Sequence, residues 1–270
     1  MINKTNLVVS VSGGRSSAMM AIHILTNTKY DHYNKLFVFA NTSLESDETY
    51  NFLSRLVKNT NMPLHIVEGV YSNEIGIGIR YKLTDFENMD KLGYVFKSCC
   101  ISTSKGSFLG LPNTASPYCS YYLKKNVIDK FAKDYFNTNN FITAIGYRLE
   151  DTPKRITFKE IELTENKIYP LLTDFEEPIN VLRLTKFWEN YTWRLNQKKA
   201  YNNCLVCWKK SFKDLAISIH QSKAINIIRF LEKRLNNTMY RTKISINTLI
   251  NIKSAQLDLL EDYQTESCNC

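Results

Sequence analysis

The chain has 270 residues, of which 44% are hydrophobic; a sizeable core can be buried, and wholesale disorder is excluded. Thirty-five Lys and Arg against 26 Asp and Glu leave a formal charge of +9, which favours anionic partners such as nucleotides, sulfonucleotides or nucleic acid. No apolar stretch nears the roughly 20 residues of a membrane span, and the first apolar run, Leu7 to Val11, is too short for a signal-peptide core. The expectation is a soluble, cytoplasmic protein with no membrane partner. In that setting its seven cysteines are thiols or metal ligands rather than disulfides.

In chain order, Leu7-Val8-Val9-Ser10-Val11 reads as a buried strand. It passes through Ser12-Gly13-Gly14 into a helical run from Ser16 to Leu25. Leu36 to Phe39 is a second buried strand. Ser46 caps a helix with Asp47 and Glu48 in its first turn and Tyr50, Leu53, Leu56 and Val57 on one face. Leu64 to Val67 is a third strand. This β-α-β-α-β order predicts an α/β fold with a Rossmann-like, doubly wound parallel sheet. Residues 71–118 show weak periodicity and read as a long irregular insert of the kind that forms active-site loops. A helix starts near Cys119, and Phe141 to Ile145 is a fourth strand ending at Gly146-Tyr147-Arg148. Phe187 to Leu195, Leu215 to Leu235 and Ile246 to Tyr263 look helical. The expected division is residues 1–155 as a nucleotide-binding α/β domain and residues 156–270 as a mostly helical, cysteine-containing region.

A strand, a Ser-Gly-Gly turn and a helix make an anion-binding geometry. Glycine lets backbone N–H groups close on a phosphate or sulfate, and the helix adds its positive end. Ser12, Ser16 and Ser17 bring hydroxyls, and Arg15 brings a fixed charge. Neither a Walker A loop nor the Gly-x-Gly-x-x-Gly fingerprint is present. Arg148 follows the fourth strand at the carboxyl edge, where open α/β sheets bind ligands, and Arg155 lies in the next loop. Guanidinium forks suit sulfate and phosphate; salt bridges to Glu150 or Asp151 are the alternative. Cys204-Leu205-Val206-Cys207 is a C-x-x-C whose two sulfurs can reach one metal. Cys99-Cys100 is a tandem pair, and Cys268-Asn269-Cys270 ends the sequence. A tail thiol can act as nucleophile or metal ligand.

Ser12-Gly13-Gly14-Arg15-Ser16-Ser17 resembles the S-G-G-x-[DST]-S loop of the PP-loop superfamily of adenine nucleotide alpha hydrolases, and most of all its phosphoadenosine phosphosulfate (PAPS) reductase-like branch, common in phage and bacterial genomes. Ser16 stands where many members carry Asp. The resemblance continues through Phe39-Ala40-Asn41-Thr42-Ser43, Ser104-Lys105-Gly106-Ser107-Phe108, Tyr118-Cys119-Ser120 with Leu123-Lys124, Gly146-Tyr147-Arg148 with Arg155, Tyr169-Pro170-Leu171-Leu172 and Cys204-x-x-Cys207. It implies ATP, PAPS or adenylylsulfate (APS) as nucleotide, with Ser12–Ser17, Asn41, Thr42 and Gly146 around it. Arg148 and Arg155 would face its anionic end. It implies a 4Fe–4S cluster or a zinc on Cys119, Cys204 and Cys207, and a tail cysteine, Cys268 or Cys270, as catalytic thiol. Thioredoxin, glutaredoxin or glutathione would supply electrons. The same resemblance admits an ATP-dependent adenylating or thiolating enzyme, with a sulfur donor and a nucleic acid or small molecule as partners. It also admits a nucleotide-binding protein without turnover. A homo-oligomer is compatible with all three.

Overall fold

The computed structural model describes residues 4–252 except 75, 105–106, 203 and 241–243. Cys268 and Cys270 therefore lie outside the described residues, as do Lys105, Gly106 and the tail beyond 252. The chain divides into two compact units interleaved along the sequence. The first comprises Met1–Phe39, Glu48–His65 and Phe131–Asn196; the second comprises Ala40–Asp47, Ile66–Lys130 and Gln197–Cys270.

The elements begin with β1 (Thr5–Ser10), α1 (Arg15–Thr26), β2 (Tyr33–Asn41), α2 (Asp47–Thr60) and β3 (Leu64–Tyr71). There follow β4 (Ile79–Thr84), α3 (Tyr94–Ile101) and the two-residue strands β5 (Thr103–Ser104) and β6 (Ser107–Phe108). A π-helical turn, Tyr121–Lys125, opens α4 (Asn126–Phe136). Next come β7 (Ile142–Ala144), α5 (Phe158–Leu163), β8 (Lys167–Ile168) and α6 (Pro170–Thr173). The chain then turns helical through α7 (Val181–Glu189), α8 (Phe212–Ser218), α9 (Ile225–Leu235) and α10 (Ile246–Ile250).

Six strands hydrogen-bond in the order β4-β3-β2-β1-β7-β8. β1 runs parallel to β2, with Val8 opposite Leu36, and parallel to β7, with Val8 opposite Thr143. β8 joins β7 in parallel, and β4 joins β3 antiparallel. The α/β, Rossmann-like reading of the sequence is the fold observed. Leu7, Val8 and Val9 are fully buried, as expected of a strand with layers on both faces. The strand order reverses at β1, so the gap between the carboxyl ends of β1 and β7 is the switch point where such sheets bind ligands.

In the first unit, Met20, Ile24, Phe37, Phe52, Leu53, Leu56 and Trp188 are fully buried. The Phe52 and Trp188 rings meet edge to face at 5.4 Å, the geometry that ring quadrupoles favour. The second unit packs around Phe96, Cys99, Cys100, Leu215, Ile228, Leu231, Ile246 and Leu249. Gly93 closes that core. It takes φ 97°, and a Cβ there would lie 2.8 Å from Ala224 Cβ.

Two local readings are corrected. The stretch read as irregular contains β4 and α3. β4 has no fully buried residue, so it lacks an apolar stripe, and α3 is apolar around much of its circumference, which hides a helical period. The helix read at Phe187 to Leu195 lies earlier, at Val181–Glu189. Asn180 caps it by accepting from the Arg183 amide at 2.9 Å, and residues after Asn190 turn back on themselves.

Candidate anion site

β1 delivers the chain to the loop in a fixed direction. The Val11 amide donates to the Val38 carbonyl at 2.9 Å, one step beyond the end of β1. The loop then holds itself together through two serines. The Ser12 amide donates to Ser17 Oγ at 3.0 Å, and Ser17 Oγ donates to the Gly14 carbonyl at 3.0 Å. Ser17 has one hydroxyl proton, so in the 3.0 Å contact between the two Oγ atoms Ser12 is the donor. Ser12 and Ser17 thus shape the loop, and Ser17 is buried.

Gly13 has φ 79°, where a side chain is strained, and an added Cβ would meet Thr49 Cγ2 at 2.6 Å. Gly14 is the N-cap of α1 and has no side chain to cap it. The first intrahelical bond runs from the Ala18 amide to the Gly14 carbonyl at 3.1 Å. Among the described residues, the amides of Gly13, Gly14, Arg15, Ser16 and Ser17 donate no hydrogen bond. Five N–H groups at the positive end of a helix are donors of the kind that an anion can accept.

Gly146 brings the end of β7 onto this loop. A Cβ there would lie 3.1 Å from Ser17 Cα and 3.2 Å from the Ser16 carbonyl oxygen, so a side chain would press on the loop backbone. Two residues on, the Arg148 amide donates to Asp151 Oδ2 at 2.9 Å. The Nε of Arg148 lies 3.6 Å from the same oxygen; it is buried and has no hydrogen-bond partner among the described residues. Arg155 Nε lies 3.3 Å from Asp151 Oδ1, and its guanidinium stands 5.8 Å over the Tyr147 ring, which stacks on Tyr169 at 5.7 Å. Asp151 is buried and so serves both arginines. Of the two arginine readings drawn from sequence, the structure shows the salt bridges, both of them to Asp151.

Arg15 is the loop's own cation. Burial, then the nearby charges of Arg148 and Arg194, lower its guanidinium pKa below the ordinary value. Trp188 Nε1 donates to the Arg15 carbonyl at 3.1 Å. Arg194 carries no motif signal and was not among the residues singled out in the sequence.

In the second unit, Asn41 is fully buried. Its amide nitrogen donates to Glu68 Oε1 and to the Asp90 carbonyl, both at 2.7 Å, and its oxygen accepts from the Ser43 amide at 3.0 Å. Thr42 donates to Glu45 Oε1 at 2.8 Å. Both side chains tie down the turn after β2. Cys204 Sγ lies 3.7 Å from Thr42 Oγ1 and 3.9 Å from Glu45 Oε1. Cys207 is buried one turn later, its amide donating to the Cys204 carbonyl at 3.2 Å. Cys99 and Cys100 are fully buried. Burial pushes the Cys100 thiol up to about 12, and burial again, with Cys100 beside it, raises Cys99 well above its ordinary value. Tyr118 donates to Cys100 Sγ at 3.3 Å, and Cys119 lies near enough to both buried thiols to raise them further.

A metal ion or cluster needs thiolates gathered around one point. Among the described residues, no three or more His, Cys, Asp or Glu side chains group in a way that could hold a metal ion. Cys119, Cys204 and Cys207 do not form such a centre as they lie. No helix among the described residues is long and apolar enough to cross a membrane.

No protein-family model matches the chain. It is similar to the uncharacterized nin region protein ORF290 of Escherichia phage lambda, 26% identical over 218 residues, which is 81% of this chain and 71% of that protein. Among solved structures it is similar to the U34-tRNA thiolase NcsA from Methanococcus maripaludis, described with its 4Fe–4S cluster. That alignment has a TM-score of 0.44 and 17% identity, covering 96% of this chain and 84% of that one.

Proposed function

We propose that this chain is an adenine-nucleotide enzyme that seats the anionic end of its nucleotide on the amides of Gly13 to Ser17 and carries out sulfur-related chemistry there. One observation carries the reading: the five amides without a hydrogen bond among the described residues stand at the carboxyl end of β1, at the switch point with β7. Arg15, Arg148 and Arg155 supply charge to the same unit. The PP-loop resemblance supports the adenine part of the reading, and Ser16 in place of the usual Asp supports a sulfonucleotide over ATP hydrolysis. In this scheme a tail thiolate, from Cys268 or Cys270, attacks the sulfonate sulfur. The S–O bond breaks and its electron pair leaves with the nucleotide phosphate. A dithiol of the thioredoxin or glutaredoxin class then releases sulfite and becomes a disulfide.

The test is sulfite release from PAPS and APS by the full chain with a dithiol donor. The reading expects release that Cys268→Ser or Cys270→Ser abolishes. Full activity in both variants excludes the tail thiol.

A second reading, ATP-dependent adenylation followed by sulfur transfer, is favoured by Cys204, a partly exposed thiol 3.9 Å from the buried Glu45 carboxylate. Pyrophosphate release from ATP, stimulated by RNA or another acceptor and lost in Cys204→Ser, would select it.

A further inference from the structure

In the second unit, α9 sorts its residues by face. It buries Ile228 and Leu231 and exposes Arg229, Phe230, Lys233 and Arg234. Positions 229 and 233, like 230 and 234, are four apart and so stand one above the other on the helix. The acid of the helix, Glu232, is turned away from them: both its carboxylate oxygens accept from the Ile246 amide at 3.1 Å.

Two neighbouring elements of the same unit extend this stripe. α3 packs against α9, and Lys97 of α3 holds its Nζ 4.6 Å from the centre of the Phe230 ring. One turn along α9, the Arg234 guanidinium stands 5.7 Å over the ring of Phe108 in β6. The result is a row, Lys97–Phe230–Arg234–Phe108, in which cations and rings alternate. Both rings are exposed, Phe230 at 43% and Phe108 at 47%.

No acid answers these charges. Among the described residues, Lys97, Arg229, Lys233 and Arg234 form no ion pair. Arg229 donates to neutral amides, Asn247 Oδ1 at 2.7 Å and Asn226 Oδ1 at 3.2 Å, and so keeps its full charge. A lone exposed Phe or a solvated Lys needs no explanation. Two exposed rings linked by cations, inside a stripe of uncancelled positive charge, complement a polyanion that carries flat groups.

We infer that this face of the second unit binds single-stranded nucleic acid. The cations take backbone phosphates, and Phe230 and Phe108 stack on unpaired bases. A duplex fits less well, because its bases are already stacked on one another. An acidic peptide matches the charge but leaves the rings unused. The inference is independent of the Gly13–Ser17 loop, since α3, β6 and α9 make the surface by themselves.

The test is fluorescence anisotropy of the full chain with labelled oligothymidine of about 12 nucleotides, with its duplex, and with polyglutamate of equal length. The wild type is expected to bind the single strand at least about fivefold more tightly than either other probe. Phe230→Leu keeps an apolar side chain and removes the ring. It should weaken the single strand about fivefold or more, the effect of losing one stacked base, and leave the duplex within about twofold. Arg234→Gln should weaken the single strand and lower the salt dependence of log Kd by about one phosphate contact. Melting temperatures should match the wild type, because both side chains are exposed. A wild type that binds no single strand, a duplex or polyglutamate bound as tightly, or unaltered affinity in both variants overturns the inference. Titration with inorganic pyrophosphate runs alongside and should be unmoved by both substitutions. If the single strand binds and pyrophosphate does not, the loop reading fails and this one stands.

Discussion

The Gly13–Ser17 loop and the Cys99–Cys100 pair are both rich in polar chemistry, and the structure treats them oppositely. Among the described residues the loop's five backbone amides donate no hydrogen bond, and the charges of Arg148 and Arg194 act on Arg15. The thiol pair is fully buried, and burial keeps both sulfurs protonated. A binding site leaves its charges and donors unsatisfied by the protein, whereas a core satisfies or neutralises them. By that criterion the loop is the candidate site we propose, and the tandem cysteines, however prominent in the sequence, lie in the core.

The sharpest way to break this contrast is Gly13→Ala. It places a side chain at φ 79° and within 2.6 Å of Thr49 Cγ2. Left-handed strain and overpacking together should cost about 2–5 kcal/mol in denaturant unfolding and abolish measurable pyrophosphate binding. Wild-type stability and binding in this variant would remove the glycine argument. Next in size, Arg148→Ala should weaken pyrophosphate about 10- to 100-fold, as loss of a charge-assisted contact does. If binding is untouched, the buried Nε of Arg148 belongs to the scaffold alone.

The thiol side of the contrast predicts a pH effect. Cys100 has an ordinary pKa of 9.0, raised to about 12 by burial. Its contribution to stability is complete below pH 9 and is lost as pH rises from 9 to 12, because the unfolded chain gives up the proton first. The melting temperature should fall across pH 9 to 11, and Cys100→Ala should flatten that fall. At pH 8 a thiol reagent should label the partly exposed Cys119 and Cys204 well before Cys99 and Cys100. Equal labelling rates would place the pair at the surface. The smallest effect is expected from Gly14→Ala. An added Cβ there would approach nothing closer than Ser12 Oγ at 3.8 Å, and φ is −91°. Stability should change by only a few tenths of a kcal/mol, and affinity by less than about twofold. A loss as large as that of Gly13→Ala would mean that the loop moves on binding.

Much of this frame was legible in the residues. Leu7 to Val11, Leu36 to Phe39 and Leu64 to Val67 are short apolar runs between polar turns, and each became a sheet strand. Ser-Gly-Gly marked the loop because Gly13 takes a left-handed φ where a Cβ does not fit. What was hidden depends on tertiary structure. β4 alternates only weakly because it has no fully buried residue, and α3 shows no apolar stripe. The early start of α7 had a usable signal, Asn180 ahead of an apolar run. Arg194 had none, since no local spacing announces it. The cysteines show the reverse failure, since C-x-x-C and tandem spacing say which sulfurs can meet but not which ones the core will enclose.

The most direct test of the central claim is an amide chemical-shift titration of the full chain with pyrophosphate and with adenylylsulfate. The account predicts that the amides of Gly13, Gly14, Arg15, Ser16 and Ser17 move the most, as hydrogen bonds to the anion form, while those of Cys99 and Cys100 stay in place. Unmoved loop amides under saturating ligand, with the largest shifts elsewhere, would contradict it.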